Sequence, residues 1–183
     1  MTVRKGTYAI LMALGSDSVL DVGALGSILF PSGRYCYVGS AMGGLDQRIS
    51  RHLSREKRAR WHIDVLTLAA DSAEAYESYP DPVPECELAR MADESGMEPF
   101  APGFGCSDCR CRTHLFRADD GSLKRFLSIS GCRPFQGRPP ARPMLEAAYR
   151  CIRPSIHGRS HPPALMPREP SSANLSTLAF RLA

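Results

Sequence analysis

The chain has 183 residues, 43% of them apolar, which suits one folded domain plus an appendage. No run of about 18 apolar residues exists to cross a membrane. Seven unevenly spaced cysteines, an odd number, argue against a disulfide framework and for a reducing, cytoplasmic setting. The net charge of +4 conceals a division: residues 121–183 carry ten Lys/Arg against two acids, whereas residues 1–120 carry thirteen against seventeen. Nine of the fifteen prolines lie in the basic stretch. Such a Pro/Arg-rich segment buries too little apolar surface to offset its ordering entropy. The composition therefore predicts a domain over residues 1–120 and a largely disordered tail over 121–183, with the boundary near Asp119-Asp120-Gly121. Cutting there is expected to leave the domain folded and to weaken nonspecific binding to nucleic acid.

In chain order, Arg4-Lys5 followed by Tyr8 to Leu14 is too brief and lacks a small-x-small site for a signal peptide, and it reads as a buried strand. Val19 to Val22 reads as a second strand, paired to the first as a hairpin. Gly23 to Gly33 reads as a loop, and Tyr35 to Gly39 as a third strand. Glycines 39, 43 and 44 then form a turn into a helix of about residues 44–54, whose Leu45, Ile49 and Leu53 repeat every four residues. At about 100° per residue, His52 falls near the apolar stripe, and Arg48, Arg51 and Arg55 fall beside it.

Residues 48–60 hold six Arg/Lys against one acid, Glu56, a local excess that fits a nucleic-acid backbone. Arg51, His52, Arg55, Lys57, Arg58 and Arg60 are the expected contacts. Trp61 to Leu68 alternates as a strand does, with His62 and Asp64 expected to be structural. Ala73 to Tyr79 reads as a further strand. Pro84 sits well as the first-turn proline of a helix that runs from Glu85 to Gly96. Thr113 to Arg117 reads as a last strand, and Ser122 to Ile129 and Met144 to Ile152 have helical spacing. Cys106, Cys109, Cys111 and His114 have zinc-ligand chemistry, but four ligands within nine residues are cramped for a tetrahedron. Free thiols are the expectation there, with no Zn²⁺.

The ordered set Gly6-Thr7-Tyr8, Tyr37-Val38-Gly39, Leu45-x-x-Arg48-x-x-x-His52 and a glutamate at a helix start resembles the GIY-YIG nuclease superfamily. Within it, the chain is similar to a subfamily of unknown function that is sometimes fused to endonuclease III-type DNA glycosylases. Trp61-His62-Ile63-Asp64, Glu85-Cys86-Glu87-Leu88-Ala89 and Phe104-Gly105-Cys106-Ser107-Asp108-Cys109 carry that likeness, which spans about residues 6–117.

The resemblance implies an α+β fold, a small antiparallel sheet flanked by helices, and a Mg²⁺-dependent endonuclease acting on nucleic acid, with DNA the expected substrate. It implies Tyr8 as general base or positioner of the attacking water, Tyr37 near the scissile phosphate, Arg48 as the phosphate-stabilising cation and Glu85 as the metal ligand, with Glu87 second. These residue types suit the chemistry, since cleaving a phosphodiester is largely charge neutralisation and positioning. The chain departs from the superfamily in its 29-position spacing between Tyr8 and Tyr37. It also lacks the asparagine that often follows the catalytic glutamate, so that role is either empty or filled by another group such as Ser107 or Asp108. The alternative is a catalytically inactive module that binds nucleic acid or docks onto a repair protein.

Overall fold

The computed structural model describes residues 3–137. Its centre is strand β1 (Gly6–Leu14), which has both edges paired and is buried on both faces by the two cores that flank it. On one side it pairs antiparallel with β4 (Gly33–Ala41), and on the other with β5 (Ser72–Ser78). Two short strands, β6 (Glu98–Pro99) and β8 (Arg133–Pro134), lie at the edges, and β7 (Leu115–Ala118) lies between β6 and β4. The six strands run in the order β6-β7-β4-β1-β5-β8 with antiparallel neighbours throughout.

Side chains along β1 alternate between two cores, as the period of two requires. Tyr8, Ile10, Met12 and Leu14 face one core, with Leu45 and Ile49 of α1 (Leu45–Leu53) and Ile63 and Leu66 of α2 (His62–Ala69). Ala9 and Leu11 face the other, with Leu88, Ala89 and Ala92 of α3 (Glu85–Glu94) and Phe126 of α4 (Asp120–Ser130). The result is an α+β fold in which one sheet lies between two helix pairs.

Three local expectations are corrected. The strand near Val19 does not pair with β1, which has no vacant edge. Instead β2 (Ser18–Asp21) pairs with β3 (Ser27–Phe30) as a separate two-stranded sheet, and this inserted hairpin accounts for much of the long spacing between Tyr8 and Tyr37. The stretch expected as a strand from Trp61 is helix α2. Ile63, Asp64, Leu66 and Thr67 are its buried positions, a helical spacing that outweighs the β-branched alternation of Ile63, Val65 and Thr67.

The third correction concerns the domain boundary. Residues 120–137 belong to the same compact unit as the sheet, so the expected boundary at 119–121 falls inside it. Asp119 caps α4 by accepting from the Ser122 amide at 2.7 Å, while its own amide donates to the Ser122 hydroxyl at 3.0 Å. Phe126 and Cys132 are buried in the second core. The remainder of the expected tail, and the helical spacing at residues 144–152, lie outside the described residues. Among the described residues no helix is long and apolar enough to cross a membrane.

A cut after residue 120 is therefore expected to unfold the domain, because it removes α4. The finer measurement is Phe126→Ala in denaturant unfolding, where the loss should be about 3–5 kcal/mol for an aromatic ring removed from a closed core. A loss under about 1 kcal/mol contradicts the packing described here.

Candidate active site

The register of β1 against β4 sets the geometry of the two tyrosines. Tyr8 is opposite Gly39 and Ile10 is opposite Tyr37, so the phenols lie on the same face as diagonal neighbours. Their ring centroids are 6.4 Å apart. Gly39 makes this possible: a Cβ there would stand 2.7 Å from the Tyr8 Cζ and hydroxyl and 3.0 Å from Tyr37. Gly105, at φ +76°, gives similar clearance, since its Cβ would lie 2.8 Å from the Tyr37 ring.

Helix α1 starts one turn beyond β4 and carries Arg48, whose guanidinium carbon lies 4.6 Å from the centroid of the Trp61 ring. Helix α3 starts at Glu85, directly after Pro84. Tyr8, Tyr37, Arg48 and Glu85 line one cleft of about 330 Å³, together with Ser40, Arg60, Trp61, His62, Ser107 and Asp108. A second hollow of about 360 Å³ shares Arg48, Arg60 and Trp61 with it and adds Arg51, Gln47 and the glycine turn at 43–44. A larger hollow of about 380 Å³ near Leu11 and Met12 holds only Arg34 and Glu74 as charged groups.

Behind the cleft, Tyr8 is joined to a buried relay. Its hydroxyl lies 3.1 Å from His52 Nε2, and His52 Nδ1 lies 2.9 Å from Asp64 Oδ1. Asp64 has no solvent exposure. Its Oδ2 also accepts from Arg51 at 2.8 Å and from the Arg60 and Trp61 amides at 3.0 and 3.2 Å. Burial alone would raise the Asp64 pKa, but the two amides and His52 hold it below the usual carboxylate range. Burial pushes His52 down to about 4 against the opposing pull of Asp64, so at neutral pH the imidazole is uncharged. The neutral ring that donates Nδ1–H to Asp64 leaves Nε2 to accept the Tyr8 hydroxyl proton.

Burial raises Tyr8 and Tyr37 well above the ordinary tyrosine range; Tyr37 and Glu85 add to the effect at Tyr8, and Arg48 only partly opposes it. Arg48 therefore does not produce a standing phenolate. Glu85 Oε1 accepts from His114 Nδ1 at 2.8 Å, and the Ser40 hydroxyl supports the same carboxylate. Burial disfavours the Glu85 charge, yet His114, Ser40 and Arg48 together keep its pKa below normal.

The six expected nucleic-acid contacts separate into three kinds. His52 is 1% exposed and held between Tyr8 and Asp64, so it cannot reach a phosphate. The Lys57 side chain is 2% exposed, and its ammonium is engaged by the His52 carbonyl and by Thr67 Oγ1 at 2.7 Å. Both were expected at the surface because the basic run was read without its tertiary partners. Arg55 holds the Leu68 and Asp71 carbonyls, each at 3.1 Å, and Arg51 pairs with Asp64 while lying over Trp61. Arg58 and Arg60 are exposed, and Arg60 lines both hollows. Glu87, the second candidate ligand, points instead to Arg90 at 2.9 Å on the exposed side of α3.

Asp64 and Ser40 escaped the sequence reading as site residues. Asp64 was readable in principle as the third residue of a helix that caps the Trp61 amide, but that signal was lost in the strand assignment. Ser40 gave none.

Residues 7–130 match the family described as Domain of unknown function DUF123, and the chain belongs to that family. No match was found among the curated proteins or among the solved structures.

The buried imidazole has a measurable consequence. His52 titrates at about 4 when folded against 6.5 in its ordinary state, so between these values the unfolded chain binds more protons. Stability due to this group is then full above pH 6.5 and falls as the pH is lowered towards 4. Compared with His52→Gln, the unsubstituted protein is expected to lose on the order of 3 kcal/mol more on that acidification. Parallel pH profiles in thermal unfolding contradict a neutral buried His52.

Proposed function

Starting from membership in a family of unknown function and from the cleft just described, we propose that this chain is a GIY-YIG-type endonuclease that hydrolyses phosphodiester bonds in nucleic acid, with DNA the leading substrate. The observation that carries this reading is the meeting of Tyr8, Tyr37, Arg48 and Glu85, far apart in sequence, along a single cleft.

Arg48 is the cation for the scissile phosphate. Its planar, permanently charged fork matches two phosphate oxygens, and among the described residues it pairs with no carboxylate but rests on Trp61. Trp61, 40% exposed, offers a face on which a base or sugar can pack, and Arg58 and Arg60 extend the positive surface. Glu85 fits a divalent cation such as Mg²⁺. A carboxylate has about four acceptor positions, and two partners leave room for a hard ion that keeps most of its waters. When bound, such an ion neutralises charge on the phosphate and the leaving oxygen.

The proton path lies in the protein. Water attacks phosphorus and gives a proton to the Tyr8 oxygen as the Tyr8 proton moves to His52 Nε2. The resulting imidazolium is held by Asp64. The P–O bond on the far side breaks, its oxygen takes a proton from solvent, and His52 returns its proton through Tyr8 to solvent. The high pKa of Tyr8 makes this a concerted transfer rather than attack assisted by a pre-formed phenolate. Tyr37 donates from its hydroxyl to a phosphate oxygen. Ser107 and Asp108, exposed at the rim of the cleft, stand where the missing asparagine would be sought.

With Mg²⁺ and a panel of single-stranded, duplex and branched DNA and RNA, cleavage is expected. It should fall by about 10²–10³-fold in Arg48→Ala and Glu85→Gln. Tyr8→Phe and His52→Gln should lose roughly 10²–10⁴-fold, as expected for removal of a general base or its acceptor, with low-salt binding retained. Binding that weakens with salt but never leads to cleavage supports the docking or binding module instead.

A further inference from the structure

Cys86 enters from the first turn of α3, and Cys109, Cys111 and His114 come from the segment that precedes β7. Their ligand atoms, three Sγ and one imidazole nitrogen, all lie within 4.8 Å of one another. The Cys109 Sγ is 3.5 Å from His114 Nε2. A tetrahedral zinc with Zn–S of about 2.3 Å and Zn–N of about 2.0 Å has ligand–ligand edges of about 3.8 Å for S–S and about 3.5 Å for S–N. One edge is thus already at its final length, and the others exceed theirs by no more than about 1 Å.

We propose that Cys86, Cys109, Cys111 and His114 bind a structural Zn²⁺ ion, a site separate from the proposed cleavage metal and independent of whether the chain cleaves anything. The ligand set is not the one expected from sequence spacing, because Cys86 takes the place of Cys106. Bringing the fourth ligand from a helix 23 positions upstream of Cys109 removes the crowding of four ligands in nine residues. The imidazole is oriented as a ligand should be: Nδ1 donates to Glu85 Oε1 at 2.8 Å, which leaves the Nε2 lone pair directed at the cysteines. With four protein ligands the site is closed, as structural zinc sites are and catalytic ones are not.

Position gives the ion its role. The segment around Gly103, Gly105, Ser107 and Asp108 is one wall of the cleft, and Glu85 begins α3. Zinc ties that wall to that helix, and His114 passes the constraint on to the Glu85 carboxylate. Apolar packing from Phe104 and the Thr113 hydroxyl bonds to the Phe100 and Ala101 carbonyls hold the base of the segment but not its Cys106–Cys111 tip.

The test is metal analysis of the full chain purified without chelator and under reducing conditions. One zinc per chain is expected. Replacement by Co²⁺ should give the intense d–d and thiolate-to-cobalt bands of a tetrahedral sulfur-rich site. Cys86→Ser should lose the bound metal, whereas Cys106→Ser should keep it. Cys86→Ser can also fail to fold, so the cobalt spectrum of the unsubstituted chain is read independently. A reduced, folded chain that takes up neither zinc nor cobalt overturns the proposal, as does a disulfide within the three cysteines in freshly isolated protein. Metal kept by Cys86→Ser and lost by Cys106→Ser overturns the ligand set. None of these outcomes depends on nucleic-acid cleavage.

Discussion

The Asp64 carboxylate never meets solvent, yet it is held in its charged form, and much of the site hangs from it. Its two oxygens collect a guanidinium, an imidazole and two backbone amides, with the Lys57 ammonium 3.8 Å away. These partners come from α1, from the basic segment after it, and from the start of α2. A buried charge is tolerated only when its hydrogen-bonding capacity is filled, and removal of one partner typically costs about 3–5 kcal/mol. The arrangement therefore fixes the positions of α1 and α2 relative to each other and turns His52 towards Tyr8. It also draws Trp61 into place between Arg48 and Arg51. Basic residues that look like a nucleic-acid footprint are in part the scaffold of this carboxylate.

The sheet supplies the other half of the geometry. An antiparallel pair places diagonal residues within ring contact, and a glycine opposite Tyr8 lets the phenol lie flat against the β4 backbone. The same enclosure that positions the two tyrosines also strips them of water, which makes both reluctant to ionise. Desolvation outweighs the nearby arginine. Behind Tyr8 lies a buried neutral histidine, 3.1 Å from its hydroxyl, and in the proposed mechanism that ring takes the proton so that no phenolate has to persist.

What was legible in the sequence follows the range of the forces involved. Strand β1, strand β4 and helix α1 were readable because their signals are local: a β-branched and aromatic run, a glycine turn and a four-residue apolar repeat. The four residues now found along the cleft were located through resemblance to a family pattern rather than through spacing. Helix α2 was missed because three β-branched residues in alternate positions imitate a strand, and only the packing of Ile63 and Leu66 beneath the sheet decides against it. Lys57 and His52 were placed at the surface because charge counts say nothing of burial. Cys86 could not be associated with Cys109, Cys111 and His114, since only the approach of α3 to the loop brings it there. The end of the domain was misplaced because composition changes before the last core residue, Cys132, has been supplied.

The most direct measurement of the central claim is a crystal structure of the protein with Mn²⁺ and a non-hydrolysable oligonucleotide, phased for the anomalous signal of manganese. The account predicts a manganese peak against the Glu85 carboxylate, a phosphate oxygen beside the Arg48 guanidinium, and the Tyr8 hydroxyl facing that phosphorus while still bonded to His52. A strand that passes over Arg58 and Arg60 with no phosphate in the cleft and no manganese at Glu85 contradicts it.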